Sequence, residues 1–407
     1  MVCLVLISMI STTDSLRAEF RATAQEWIQN AEDQGWVIDS VDALVLERTM
    51  EEFGPYLEEE LGSRKSRRIL ARVDTPDELS SVLDRFTGKR FGEFYFKFYA
   101  WAEKRSVAEE IWLMRESEHF IYLYHPWSAA EKDIRLIEAV AEQSFNQITD
   151  ILRPDSFELA RLSRIVRTDE VPLRYSQGKI PLRLHSTRKG LGSFEQVSGG
   201  ETVFRPIWHE DTVGYALRID LAYPGPVGLF GLPHEMAHAL ALVYLSNEPL
   251  LAERVSSGEH VPANLLRDAV LTEDILRLEG WAYMVQYNHS AYVRLGMWRS
   301  SRESMDQMAR VYGFPDAYLF LNGDMTRSFT EQVLSIFGFK KSARQSEMIR
   351  YLFASADLIR FLHERYGAEK LKTFLTNRKP PMDAMLEVYD LTPYALEQEW
   401  KNDVLYQ

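Results

Sequence analysis

His234, Glu235 and His238 stand together in the string His234-Glu235-Met236-Ala237-His238, and their types and spacing suit one chemistry. On a helix, residues four apart lie on one face, one turn of about 5.4 Å from each other. Two imidazoles so placed can hold a single Zn²⁺ through bonds of about 2.0–2.1 Å. Glu235 then projects beside the ion and can take the proton of its water. With nine histidines in 407 residues, random order yields this pattern in about one or two such chains per hundred. The flanking Ala237, Ala239, Leu240, Ala241, Leu242 and Val243 make the helix a buried one. Histidine and glutamate on such a helix need partners, and a metal would supply one.

Two histidines leave zinc one protein ligand short, because a catalytic site has three and an open position for water. Glu279, in Leu278-Glu279-Gly280-Trp281-Ala282, is the leading candidate. Glu253, Glu259, Glu273 and Asp274 are further carboxylates after the histidines, and His260 would make a three-histidine site. The string Leu232–Leu240 followed by Glu279-Gly280-x-Ala282 resembles the gluzincin clan of zinc metallopeptidases, especially the peptidase-MA-like proteins distantly related to the M1 aminopeptidases. In that family the second metal-bearing helix carries a Glu-Gly-x-Ala motif. The resemblance implies His234, His238 and Glu279 as zinc ligands, Glu235 as general base and a peptide or protein as substrate.

The likeness extends over roughly residues 115–407 and does not reach the first hundred. Glu118-His119-Phe120 with its following strand and helix resembles the start of the family's catalytic domain. Leu358–Gly367 resembles its penultimate helix and Glu397–Trp400 its closing one. Forty residues separate His238 from Glu279, more than the family's usual spacing, so the stretch around 246–270 should loop out. The family stabilises its oxyanion with a tyrosine on a later helix. Tyr351, ahead of Ala354-Ser355-Ala356, stands near that place with the register through Leu362 one residue out; a plain packing tyrosine is the competing reading. No counterpart of the aminopeptidases' Gly-rich exopeptidase motif occurs in 189–200, which leans toward endopeptidase action.

The elements that must position these residues read as follows. Residues 16–110 are mainly helical: Phe20, Ala24, Trp27, Ile28 and Ala31 recur at helical spacing, and Val41–Leu61 forms a second run ended by Gly62. Ile69–Val73 reads as a short strand. Thr75, Pro76 and Glu78 read as the capped start of a helix. The aromatics from Phe91 to Trp101 are expected in a core rather than a ligand groove. Beyond them, Phe120–Tyr124 and Ile180–Leu184 are strands, and Ile134–Leu152 is an amphipathic helix. The glycines between 189 and 200 suggest a surface loop. Tyr215–Leu221 is a half-buried strand that, as an edge, could align an extended peptide by backbone hydrogen bonds, or else lie within the sheet. Leu232–Leu245, Ile275–Tyr287, Leu358–Tyr366, Lys370–Leu375 and a segment begun by Thr392-Pro393 are helices.

At 46% hydrophobic and 26% charged the chain is globular in composition. A single cysteine, Cys3, excludes an intramolecular disulfide, a zinc ribbon and an Fe–S cluster. The net charge of −13 argues against nucleic acid as a partner, and the basic run Arg64-Lys65-Ser66-Arg67-Arg68 reads as a solvated connector. No apolar stretch reaches the ~18 residues needed to span a bilayer. Met1–Ile10 is nearly all apolar and precedes Ser11-Thr12-Thr13-Asp14-Ser15, like the apolar core of a secretory signal without its basic leader. This favours a secreted or cell-envelope protein; a cytoplasmic one with a buried N-terminal strand is the alternative.

Together these features predict an α+β chain: a possible signal or hydrophobic segment over 1–15, a mainly helical region over 16–110, and a zincin-like domain over 111–407 with a small sheet, the His-Glu helix and a helical C-terminal part. The expected activity is zinc-dependent peptide hydrolysis. The alternative is a catalytically inactive zinc-binding protein of the same fold that serves as a binding or scaffolding module.

Overall fold

Helical periodicity builds everything ahead of the first strand. The computed structural model describes residues 2–406 apart from 107–110, 163–164, 167–177, 189–198, 210–211, 246–274 and 324–342. Helices α1 (Val2–Asp33) and α2 (Ser40–Leu61) pack together, with Phe20, Ala24, Trp27 and Ala31 of α1 buried as their spacing requires. Residues 2–10 lie in α1, which replaces the strand offered as an alternative for them. Asp39 caps α2 by accepting from the Val41 amide. Helix α3 (Ser63–Leu70) then runs into the turn that follows it, so the strand expected over 69–73 is absent. Ile69, Leu70 and Val73 are buried all the same, because a short apolar run fits a core equally well as one helical turn. Helix α4 (Glu78–Thr87) starts after Asp77, which makes no side-chain cap bond, so its N-cap lies two residues later than the Thr75 expected; the Glu78 carboxylate accepts from the Asp74 amide and Thr75 donates to Asp77. The aromatic run forms α5 (Phe91–Glu103), with Phe91, Phe94, Phe98 and Tyr99 in the core.

The chain then forms a six-stranded mixed sheet. Strand β1 (Leu113–Glu116) pairs antiparallel with β2 (Phe120–Tyr124). Helix α6 (Ala129–Leu152) follows, with its N-cap Ser128 accepting from Glu131. After α7 (Ser156–Leu162) come β3 (Ile165–Val166), β4 (Ile180–His185), β5 (Gly200–His209) and β6 (Thr212–Ala222). Strand β4 lies parallel between β2 and β6. Residues 219–221 of β6 pair with β4 on one side and with β5 on the other, and 215–216 pair with β3 and β5. Strand β6 is therefore interior and cannot serve as the peptide-aligning edge considered for 215–221. Among the described residues β5 pairs with β6 alone and so holds an edge.

Alternation along β2 sends Phe120, Tyr122 and Tyr124 into the main core with α6, and Ile121 and Leu123 to the other face beside Trp112. A 3₁₀ turn, Pro226–Phe230, leads into α8 (Leu232–Leu245). Helices α9 (Ile275–His289), α10 (Ala291–Arg294), α11 (Ser301–Tyr312), α12 (Ala317–Leu321), α13 (Ala343–Tyr366), α14 (Ala368–Thr376), α15 (Pro381–Tyr389) and α16 (Pro393–Tyr406) complete an α+β fold. Among the described residues no helix is long and apolar enough to cross a membrane.

The N-terminal helices share one continuous core with the sheet and the C-terminal helices. Polar bonds tie them to the segment that feeds α8. Tyr99 donates to the Ala222 carbonyl (2.9 Å) and Tyr95 to Val227 (2.8 Å), and Tyr292 of α10, 2.9 Å from the Thr49 hydroxyl of α2, lies 3.0 Å from the Pro226 carbonyl. Beneath them the buried Arg48 binds Asp133 through two nitrogens, at 2.8 and 3.2 Å, and Tyr223 donates to the same carboxylate at 3.1 Å. Removing one member of a buried ion pair strands the other charge. Asp133→Ala, which leaves Arg48 with Glu51 and Glu52 alone and Tyr223 without this acceptor, is expected to destabilise the fold by about 3 kcal/mol. Urea denaturation of the two proteins measures this; a loss below about 1 kcal/mol would contradict it.

Candidate metal centre

Two helices meet to build the site. Helix α8 begins just after Gly231 with Pro233 in its first turn, where the missing amide proton costs nothing. Its Leu232, Met236, Ala237, Ala239, Leu240 and Tyr244 are buried, so burial on nearly all sides fixes its orientation. Helix α9 packs on it. Trp281 donates its indole N–H to the Ala237 carbonyl at 2.9 Å, and Gln286 donates to Phe230 at 2.9 Å. Gly280 lets α9 approach α13: a Cβ there would lie 2.9 Å from Cβ of Ser355 and 3.1 Å from its carbonyl oxygen. The Glu279-Gly280-Trp281 string thus supplies a polar side chain, a close helix crossing and a clamp on the neighbouring helix.

This packing brings His234, His238 and Glu279 together. The two Nε2 atoms lie 3.2 Å apart, Glu279 Oε2 lies 3.5 Å from His234 Nε2, and Glu279 Oε1 lies 3.6 Å from His238 Nε2. Ligands around a tetrahedral ion with bonds of about 2.0–2.1 Å are separated by roughly 3.3–3.4 Å. The two imidazole nitrogens thus lie at a metal-ligand spacing from each other, each faces one oxygen of the Glu279 carboxylate, and the group could hold a metal ion. Two imidazole nitrogens with one carboxylate suit zinc-like borderline ions better than Mg²⁺ or Ca²⁺, which prefer all-oxygen shells. Burial and the neighbouring His238 hold the His234 pKa well below the ordinary imidazole range, which keeps it in the neutral, metal-binding form. Its Nδ1 is buried without a hydrogen-bond partner among the described residues. The ring is therefore oriented by packing, with Tyr283 set edge-on at 4.5 Å.

Glu235, which follows His234 in the chain, is 7% exposed. Burial, then the charges of Glu279, Glu201 and Asp220, push its carboxyl up to about 8, against a lowering hydrogen bond from Thr202. That hydroxyl is 2.9 Å from Glu235 Oε2. Gly200 lies against the same side chain, since a Cβ there would be 2.6 Å from Glu235 Cγ.

Of the residues singled out in the sequence, the structure groups His234, Glu235, His238 and Glu279. The Tyr351 ring packs on Phe320 at 4.8 Å, and its hydroxyl is directed at the Phe320 carbonyl at 3.4 Å. The tyrosine beside the ligands is Tyr283, one turn beyond Glu279, whose hydroxyl pKa burial and the Glu279 and Glu235 charges push up to about 12. Its i, i+4 spacing from Glu279 was the available signal. Glu253, Glu259, His260, Glu273 and Asp274 lie outside the described residues, as do Gly190 and Gly192 of the expected surface loop. Gly200, assigned to that loop, opens strand β5 instead.

No protein-family model, curated protein or solved structure matches the chain. The geometry itself therefore carries the functional argument.

A carboxyl whose folded-state pKa exceeds its ordinary value favours folding below that ordinary value, and the benefit is lost as pH rises toward the folded value. For Glu235 the window runs from 4.5 to about 8. In metal-free protein, Glu235→Gln is expected to raise the melting temperature relative to wild type at pH 8, with the gain vanishing near pH 4. Equal shifts at both pH values in calorimetry would contradict the assignment.

Proposed function

We propose that this chain is a zinc metallopeptidase with a zincin-like catalytic domain. The observation that carries the proposal is the convergence of two imidazole nitrogens 3.2 Å apart with the two oxygens of one carboxylate at 3.5 and 3.6 Å, with a buried carboxylate directly following one ligand in the chain. Zinc held there by His234, His238 and Glu279 would lower the pKa of water toward about 7 and polarise a substrate carbonyl.

The chain's own residues divide the remaining work. Glu235 accepts the proton of the attacking water and delivers it to the departing amine nitrogen. Its raised pKa belongs to the metal-free site, and a dication nearby draws it back toward neutrality, the range that suits a group which must both take and give a proton. Strand β5, at the sheet edge beside α8, offers backbone groups to an extended peptide. Burial of Tyr283 with its hydroxyl protonated makes it a donor rather than a base.

A second reading is a zinc-binding module without hydrolytic activity. Tyr351 favours it, because the hydroxyl expected to stabilise an oxyanion is spent on the Phe320 carbonyl. One experiment separates the two. Zinc-loaded wild type and Glu235→Gln are incubated with a broad peptide library, and cleavage is followed by mass spectrometry. The peptidase reading expects cleavage by wild type and a loss of about 10²–10⁴-fold in the variant. Zinc bound by both with no cleavage by wild type supports the binding module, and equal cleavage by both removes Glu235 from the mechanism.

A further inference from the structure

The first residues of β5 have a relation to Glu235 that sheet pairing does not require. Gly200 and Thr202 pair with Leu221 and Ile219 of β6, whose side chains are fully buried, so the register of this strand end is fixed by the core. Residues two apart on a strand face the same way, and both of these meet Glu235. At Gly200 the space of a side chain is taken up by the glutamate: a Cβ would lie 2.6 Å from its Cγ and 3.0 Å from both its carboxyl carbon and Oε1. At Thr202 the hydroxyl lies 2.9 Å from Oε2 and 2.9 Å from the main-chain oxygen of the same residue. A hydroxyl has one proton to donate, and an ionised carboxylate is the stronger of these two acceptors.

We infer that Thr202 is a positioning residue for Glu235: its hydroxyl donates to Oε2 and fixes the carboxylate in one orientation, inside a socket that exists because residue 200 is glycine. The inference rests on the peptidase reading above and adds to it the group that holds the base. Thr202 touches none of the three donor atoms in the contacts observed, so its removal should leave metal uptake alone.

The test uses full-length protein loaded with zinc and acetohydroxamate as the probe. This small chelator reaches the metal and places an acidic N–O–H group where a neighbouring carboxylate must receive its proton. Zinc affinity is measured by chelator competition and acetohydroxamate affinity by calorimetry, for wild type, Thr202→Val, Thr202→Ser, Glu235→Gln and the Thr202→Val/Glu235→Gln double variant. Zinc affinity is expected to stay within about twofold throughout. Acetohydroxamate should bind about tenfold more weakly to Thr202→Val and within about threefold of wild type to Thr202→Ser. The double variant should match Glu235→Gln, because residues acting through one group are not additive. Wherever a peptide is cleaved, Thr202→Val should lower kcat and leave KM unchanged.

Losses that multiply in the double variant, or a Thr202→Val protein that binds the probe as wild type does, would overturn the inference. Loss of zinc together with the probe would reduce Thr202 to a structural residue and overturn it too. Failure of wild type to take up zinc overturns the peptidase reading along with it. A wild type that holds zinc and cleaves nothing overturns only that reading, since the probe measurement needs no turnover.

Discussion

Two imidazole nitrogens and a carboxylate facing one another across 3.2–3.6 Å are the constraint on which this structure turns. Packed that closely, and with both rings no more than about one-seventh exposed, such groups could hold a metal ion among them. The fold is arranged so that they cannot separate. Trp281 bonds α9 to the carbonyl just before His238, Gly280 lets α9 sink against α13, and α8 is walled in by apolar neighbours on nearly every side. The site sits on rigid elements, as a preorganised one must.

The N-terminal helices belong to this arrangement. Their tyrosine hydroxyls hold the carbonyls of Ala222, the last residue of the interior strand β6, and of Val227, in the turn that launches α8. Buried backbone oxygens need donors. Tyr95 and Tyr99 supply them, and burial keeps both phenols protonated by raising their pKa. The direction in which α8 departs is thereby set by residues far away in sequence.

The difference between what sequence showed and what it did not follows the range of the interaction. The spacing of His234 and His238 along one helix is local, and so is the glycine next to Glu279; both were legible, as were strands 120–124 and 180–184. Ile69–Val73 misled because five apolar-rich residues carry no decisive period, and pairing partners, absent here, make a strand. The interior place of β6 depended on a crossover that no local pattern encodes. Thr202 and Gly200 stand thirty-odd residues from Glu235, and their contact arises only once β5 has paired with β6. Tyr351 stands near the family's tyrosine only by its position along the chain, whereas its hydroxyl faces the Phe320 carbonyl, a contact that no local pattern encodes.

The most direct measurement is X-ray absorption at the zinc K-edge on full-length protein given one equivalent of the metal. The account predicts a first shell of nitrogen and oxygen at about 2.0–2.1 Å, with the outer-shell scattering of two imidazole rings and no sulfur. A shell of oxygens alone, with no imidazole signature, would show zinc bound somewhere other than His234 and His238 and would contradict it.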